Sequence, residues 1–205
     1  MKAVQRVAGR ALPLDRENVD TDQIIPAHWL KQIGRTGYGA GLFEAWRADP
    51  AFVLNDTRYA GARILIAGAN FGSGSSREHA AWALQEAGFD AVIAPRVGDI
   101  FRTNALKNGL VPVELRADEV MRLMRAVQER PALEIAIDVA DLTVRAEAIG
   151  FVAAFALDAS ARLRLMDGLD EIARTIKHDA EIASYEAPAG LAATHRGRHR
   201  AGRVT

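Results

Sequence analysis

The residues best equipped for chemistry lie in one run, N-F-G-S-G-S-S-R-E-H at positions 70–79. Gly72 and Gly74 permit positive φ and close approach of backbone to a ligand. Their amides, followed by a helix N-terminus, suit an anion. Ser75 and Ser76 add hydroxyls, and Arg77 adds a planar fork matched to a carboxylate or phosphate. His79 lies four residues beyond Ser75, about one helical turn. The run lacks the Gly-Lys-Ser/Thr end of a P-loop, does not fit Gly-x-Gly-x-x-Gly and contains no Gly-x-Ser-x-Gly elbow. The bland alternative is that Ser75 or Ser76 only caps the helix, with Glu78 assisting in the first turn, and that His79 is structural. Two glycines, two serines and an arginine packed into one strand-to-helix turn favour function.

The elements that must position this run follow from apolar patterning. Residues 63–69 (RILIAGA) form a nearly continuous apolar stretch, the mark of a strand covered on both faces. A helix is expected from about 76 to 87, favoured by Ala80, Ala81, Ala83 and Leu84. The alternation continues with a strand at 91–94, a helix at 99–107 stopped by Asn108-Gly109, and a strand at 110–115. An amphipathic helix at 117–129 carries Val120, Leu123, Met124 and Val127 at helical spacing. Segments 133–139 and 142–146 read as a hairpin, and 151–156 as a further strand. Before the run, residues 4–12 form a first strand ending in a Pro-Leu-Asp turn, and 18–26 lead into a short helix or irregular segment. Four glycines between 34 and 41 mark a flexible loop. Helices are expected at 159–166 and 169–185. The pattern predicts an α/β fold with a mixed sheet. Ligands in such folds bind beyond the carboxyl ends of the strands, where the 70–79 run falls.

Composition narrows the function classes. Apolar residues make up 49% of the 205-residue chain and charged residues 25%, ordinary for a globular protein with a sizeable core. No apolar run reaches the ~18 residues of a membrane span. The first twenty residues carry charges and a Pro-Leu-Asp break where a signal peptide needs an apolar stretch, so a cytoplasmic location is expected. The chain has no cysteine, so it can form no disulfide, thiolate zinc site or thiolate-held iron–sulfur cluster by itself. Four of its 26 basic residues (Arg196, Arg198, Arg200 and Arg203) sit after Ala187 with no acidic neighbour, leaving 22 basic against 26 acidic side chains before them. That mildly acidic body lacks the electrostatic footprint of a nucleic-acid-binding domain. The expected organisation is one domain over 1–187 and a basic tail, without apolar periodicity, over 188–205.

The motifs also carry a resemblance. N-F-G-S-G-S-S-R-E-H-A resembles the serine loop of the aconitase superfamily's swivelling domain. V-D-T-D-Q-I-I-P-A-H-W-L-K (19–31) resembles that domain's Thr-Asp segment, and R-T-G-Y-G (35–39) and F-R-T-N-A-L-K-N-G-L-V-P-V-E-L (101–115) extend the match. With the chain length and the missing cysteines, residues 1–187 are similar to the small-subunit family of 3-isopropylmalate dehydratases. The resemblance implies an aconitase-like swivelling β/β/α domain with a mixed sheet and C-terminal helices. It implies a heterodimer whose large subunit holds a [4Fe–4S] cluster, while the small subunit supplies a serine base. The implied reaction converts 2-isopropylmalate to 3-isopropylmalate by dehydration and rehydration, a step in leucine biosynthesis.

By the same resemblance Ser75 matches the base, Ser76 and Arg77 match ligands of a substrate carboxylate, and Asp22 matches an aspartate that orients its neighbours. Gly72, Gly74 and His79 support the loop. Lys31 and Arg35 are both candidates for a further carboxylate contact. Trp29, Leu30 and Ile33 either line an apolar pocket or anchor the loop. Chemistry gives these residues work: a serine hydroxyl is a poor base unless its alkoxide is stabilised, and loop amides, a helix N-terminus and an arginine can do that. Two other readings stand beside this one. The chain could belong to a related hydro-lyase acting on homoaconitate, citraconate or a methylated malate, or be a non-catalytic anion-binding module. Ser75→Ala separates base from binding loop.

Overall fold

The computed structural model describes residues 3–32, 34 and 36–168; Ile33, Arg35 and everything from 169 onward, including the expected helix at 169–185 and the basic tail, lie outside them. The described residues belong to one compact unit that ends at Gly168. Its centre is a seven-stranded sheet in the order β4-β3-β2-β1-β5-β6-β7. Strands β1 (Arg6–Leu14), β2 (Ile64–Ala67), β3 (Ala91–Ala94) and β4 (Val111–Glu114) are parallel. Strands β5 (Glu134–Asp138), β6 (Thr143–Ala146) and β7 (Phe151–Ala154) add an antiparallel half. The α/β class and the mixed sheet match the expectation from sequence.

β1 is the seam between the halves. Its first part, Arg6 to Arg10, pairs antiparallel with β5, and its last part, Ala11 to Leu14, pairs parallel with β2. This places Pro13 inside a strand rather than in the expected turn. The reason is local: Pro13 lies beyond the β5 pairing and has only one neighbouring strand, so its missing N–H leaves no gap in the ladder. Pro112 is tolerated for the same reason, because β4 is the sheet edge.

Every residue of β2 and β3 is buried, so both faces of the parallel half are covered. Helix α5 (Ala117–Glu129) packs on β1, β2 and β3, burying Val120, Leu123, Met124 and Val127. Helices α3 (Glu78–Glu86) and α4 (Asp99–Asn108), the connections between successive parallel strands, pack on each other, and α4 also packs on β4. Gly109 ends α4 in the left-handed region at φ 84°. Helix α6 (Ala159–Asp167) follows the antiparallel half, capped by the Asp158 carboxylate on the Ala161 amide at 2.8 Å. Between β1 and β2 the chain makes two short helices, α1 (Thr21–Ile24) and α2 (Glu44–Arg47), and several 3-10 turns. One of these turns, Tyr38–Gly41, lies within the glycine-rich stretch expected to be a flexible loop, and buries Tyr38. Among the described residues no helix is long and apolar enough to cross a membrane.

Candidate active site

The carboxyl ends of β1, β2 and β3 feed three loops that are stitched together by backbone hydrogen bonds. The Asn18 amide donates to Ala69 O at 2.8 Å, and the Gly72 amide donates to Val19 O at 2.7 Å. The Phe71 amide donates to Arg96 O at 3.1 Å, and the Gly98 amide returns to Phe71 O at 2.8 Å. Asn18 and Asn70 both take left-handed φ values, 54° and 62°, and Asn70 Nδ2 donates to Asn18 Oδ1 at 3.0 Å. Asparagine is among the side chains that tolerate this region. The start of the serine loop is therefore tied to the loops on both sides of it.

Gly72 is indispensable to this packing. Its φ is 75°, and a Cβ there would fall 2.4 Å from Phe101 Cγ. Phe101 is buried edge-on against Phe71, with ring centroids 5.4 Å apart. At Gly74, with φ 91°, an added Cβ would make only ordinary contacts, the nearest being Asp20 Cβ at 3.6 Å and Thr21 Oγ1 at 3.7 Å.

Helix α1 holds the other side of the loop. Its N-cap Asp20 forms a capping box with Gln23: the Gln23 amide donates to Asp20 Oδ1 at 2.8 Å, and the Asp20 amide to Gln23 Oε1 at 2.9 Å. The Thr21 amide donates to Ser73 O at 2.9 Å, and Thr21 Oγ1 donates to Ser75 O at 3.1 Å. Asp22, one residue on, forms a bidentate ion pair with Arg77, with Nη1 to Oδ1 and Nη2 to Oδ2; the second bond is 2.7 Å. Arg77 Nη1 also donates to Ile25 O at 3.3 Å. The Arg77 side chain is 12% exposed and that of Asp22 56%. The carboxylate thus occupies the end-on edge of the guanidinium. Nε–H and the second Nη2–H, on the side-on edge, take no partner among the described residues. Arg77 keeps a two-donor fork for a second carboxylate.

The serines do not cap the helix. Helix α3 begins at Glu78 rather than 76, and its N-cap position is Arg77, with no side-chain cap bond. Ser75 and Ser76 are exposed, and neither hydroxyl has a hydrogen-bond partner among the described residues. Glu78 instead accepts from Asn108 Nδ2 at 3.0 Å, tying α3 to the end of α4. His79 packs between Tyr38 and Trp82, at ring-centroid distances of 5.0 and 4.8 Å. That burial lowers its pKa below the ordinary histidine value; the Glu78 carboxylate opposes the shift and Arg77 adds to it.

The structure brings together Gly72, Gly74, Ser75, Ser76, Arg77 and Asp22. It places His79 on the flank of α3, among aromatic rings. Lys31 closes the 3-10 turn Ala27–Lys31; it is exposed and makes no ion pair among the described residues. Arg35 lies outside the described residues. Trp29 is taken up by packing: its Nε1 donates to Glu44 Oε2 at 2.6 Å, and its ring lies so close to Gly41 that a Cβ there would sit 2.5 Å from it. Sequence reasoning missed Thr21. Its signal was a threonine beside the expected site aspartate, but its partner lies 54 residues away. Among the described residues no group of three or more His, Cys, Asp or Glu side chains is placed to share a metal ion.

Fold and site together define an α/β domain that presents a Gly-Ser-Ser-Arg turn at the carboxyl ends of its parallel strands. The model of the aconitase C-terminal domain family matches residues 1–118. The 3-isopropylmalate dehydratase small subunit of Parafrankia sp. (strain EAN1pec) is 57% identical over 187 residues, 91% of this chain and 95% of that protein. That of Streptomyces coelicolor is 54% identical over 187 residues, 91% of this chain and 94% of that protein. A crystal structure of 3-isopropylmalate dehydratase from Methanocaldococcus jannaschii superposes with a TM-score of 0.64 over 88% of this chain and 99% of that one, at 24% identity, a likeness of fold. The chain belongs to the aconitase C-terminal domain family and, within it, to the family of 3-isopropylmalate dehydratase small subunits.

Proposed function

We propose that this chain is the small subunit of a hydro-lyase that interconverts 2-isopropylmalate and 3-isopropylmalate through the dehydrated intermediate, working in the cytoplasm with a large subunit. Its own contribution is the serine loop. Ser75 takes the proton from the carbon next to a substrate carboxylate. Its hydroxyl is exposed and takes no partner among the described residues, which leaves it available to approach that carbon. Removing the proton builds negative charge on the carboxylate, and fixed donors aimed at that charge lower the barrier. Arg77 offers its side-on fork to the carboxylate, held in place from behind by Asp22. Ser76 adds a hydroxyl, and the amides around Gly74 stabilise the Ser75 alkoxide. Lys31 and Arg35 remain the candidates for a second carboxylate contact. His79, its pKa lowered by burial and its ring wedged between Tyr38 and Trp82, supports the loop.

The iron–sulfur cluster associated with this chemistry belongs, in this reading, to the large subunit, since the present chain supplies no thiolate. A cluster there would serve as the Lewis acid.

The observation that carries the reading is the Ser75-Ser76-Arg77 turn: two exposed serines whose hydroxyls take no partner among the described residues, beside a guanidinium with one edge held by Asp22, on a chain 57% identical to a 3-isopropylmalate dehydratase small subunit. The test is co-expression with a cysteine-bearing large subunit, followed by an activity screen over 2-isopropylmalate, homoaconitate, citraconate and methylated malates. The isolated chain should be inactive and the complex most active on 2-isopropylmalate. Preference for another diacid would move the chain to a related hydro-lyase. No turnover of any of these diacids would favour an anion-binding module.

A further inference from the structure

Among the described residues Thr21 is the one serine, threonine, amide or charged side chain that is buried, at 2% exposure. A hydroxyl is buried at a cost unless it is hydrogen-bonded. This one spends its proton on a single acceptor, the carbonyl of Ser75, at 3.1 Å. Its own amide holds the carbonyl of Ser73 at 2.9 Å. Gly74, between those two carbonyls, lies close to Thr21 Oγ1, and a Cβ there would be 3.7 Å away. The loop therefore wraps around one threonine.

We propose that Thr21 is a positioning residue that sets the direction of the amides beside Ser75. In a planar trans peptide the C=O of one residue and the N–H of the next point in opposite directions. With Ser75 O drawn inward to the buried hydroxyl, the Ser76 N–H is turned outward, to the exposed side of the loop. With Ser73 O drawn to the Thr21 amide, the Gly74 N–H is turned outward as well. Neither amide has a partner among the described residues. Both are thus donors for negative charge at the serine, kept available by groups that never touch substrate. Without the hydroxyl, the 75–76 peptide can rotate its carbonyl toward water and carry the Ser76 N–H away. The inference rests on the reading of Ser75 as the base.

The test compares Thr21→Val, Thr21→Ser, Ser75→Ala and the double variant Thr21→Val/Ser75→Ala in the complex with the large subunit. Thr21→Val should lower kcat by about 10–100-fold, the scale of a slightly misplaced catalytic group, with KM changed by no more than ~3-fold. Thr21→Ser restores the donor and should stay within about twofold of the parent. In the Ser75→Ala background Thr21→Val should cause no further loss, because the positioned group is gone. If the valine variant does not fold, Thr21→Ala takes its place with the same expectation. Full activity of the valine or alanine variant alongside a dead Ser75→Ala would overturn the inference and leave the base assignment standing. So would independent, multiplying losses in the double variant, or an equal loss in Thr21→Ser. Normal turnover by Ser75→Ala would overturn the base assignment, and the inference with it.

Discussion

Replacing Gly72 or Gly74 by alanine imposes nearly the same backbone penalty, yet the structure separates the two outcomes. Both residues have positive φ, 75° and 91°. An L residue in this region costs ~1–2 kcal/mol. Both substitutions also restrict the unfolded chain, which returns about 0.4–1 kcal/mol in each case. These contributions nearly cancel in the difference between the two variants. What remains is steric. At Gly72 the new methyl would lie 2.4 Å from Phe101 Cγ and 2.7 Å from Phe101 Cβ, the base of a buried ring rather than a flexible tip. Relief requires moving α4 or the loop, an overpacking cost of ~1–3 kcal/mol. At Gly74 the nearest atom is 3.6 Å away, ordinary contact. Gly72→Ala should therefore be less stable than Gly74→Ala by about 1–3 kcal/mol. Urea titration of the two folded chains measures this as a shift in midpoint at unchanged m. A difference below ~0.5 kcal/mol, or Gly74→Ala being the weaker, would refute the account of how the loop is seated on Phe101.

The remaining consequences concern charge and protonation. Arg77→Lys keeps the charge but loses the side-on fork, so the substrate KM in the complex should rise about tenfold or more, the equivalent of one charge-assisted hydrogen bond of ~1.5–3 kcal/mol; an unchanged KM would remove Arg77 from the substrate site. His79, its pKa lowered by burial, should titrate below 6.5 in an NMR pH series. The unfolded chain then binds more protons than the folded one as pH falls, so this histidine's contribution to stability is present above about 6.5 and is lost as pH falls through the folded pKa. Stability that dropped less toward acid in His79→Gln than in the parent would agree; a His79 midpoint above 6.5 would not.

Much of the scaffold was legible because its signals are local. The apolar runs of β2 and β3 appear where both faces are buried, and α5 occupies the 117–129 span marked by its apolar stripe. Gly109 ended α4, and the hairpin of β5 and β6 fell where the alternation placed it. The failures involve partners far away in sequence. Pro13 reads as a strand breaker until β1 is seen to lose its β5 neighbour after Arg10. The stretch from 42 to 62 has no periodicity, yet it forms α2 and two 3-10 turns. Tyr38 looked like part of a mobile glycine loop, but it is buried against His79 and Trp82, and Glu86 holds the Gly37 and Gly39 amides at 3.1 and 2.9 Å. In the site, residue types named Ser75 and Arg77 and the family resemblance named Asp22, but only the fold revealed that Asp22 occupies one edge of Arg77 and leaves the other open among the described residues.

The central claim is that Ser75 is a base rather than a cap or a passive anion ligand, and the kcat of Ser75→Ala in the complex with the large subunit tests it most directly. The residue is exposed and its hydroxyl bonds to nothing among the described residues, so its removal should leave folding and subunit association intact. General-base catalysis contributes roughly 10²–10⁴-fold, and kcat should fall by that factor with little change in melting temperature. A Ser75→Ala complex that forms normally and turns over 2-isopropylmalate at near-parental kcat would contradict the account.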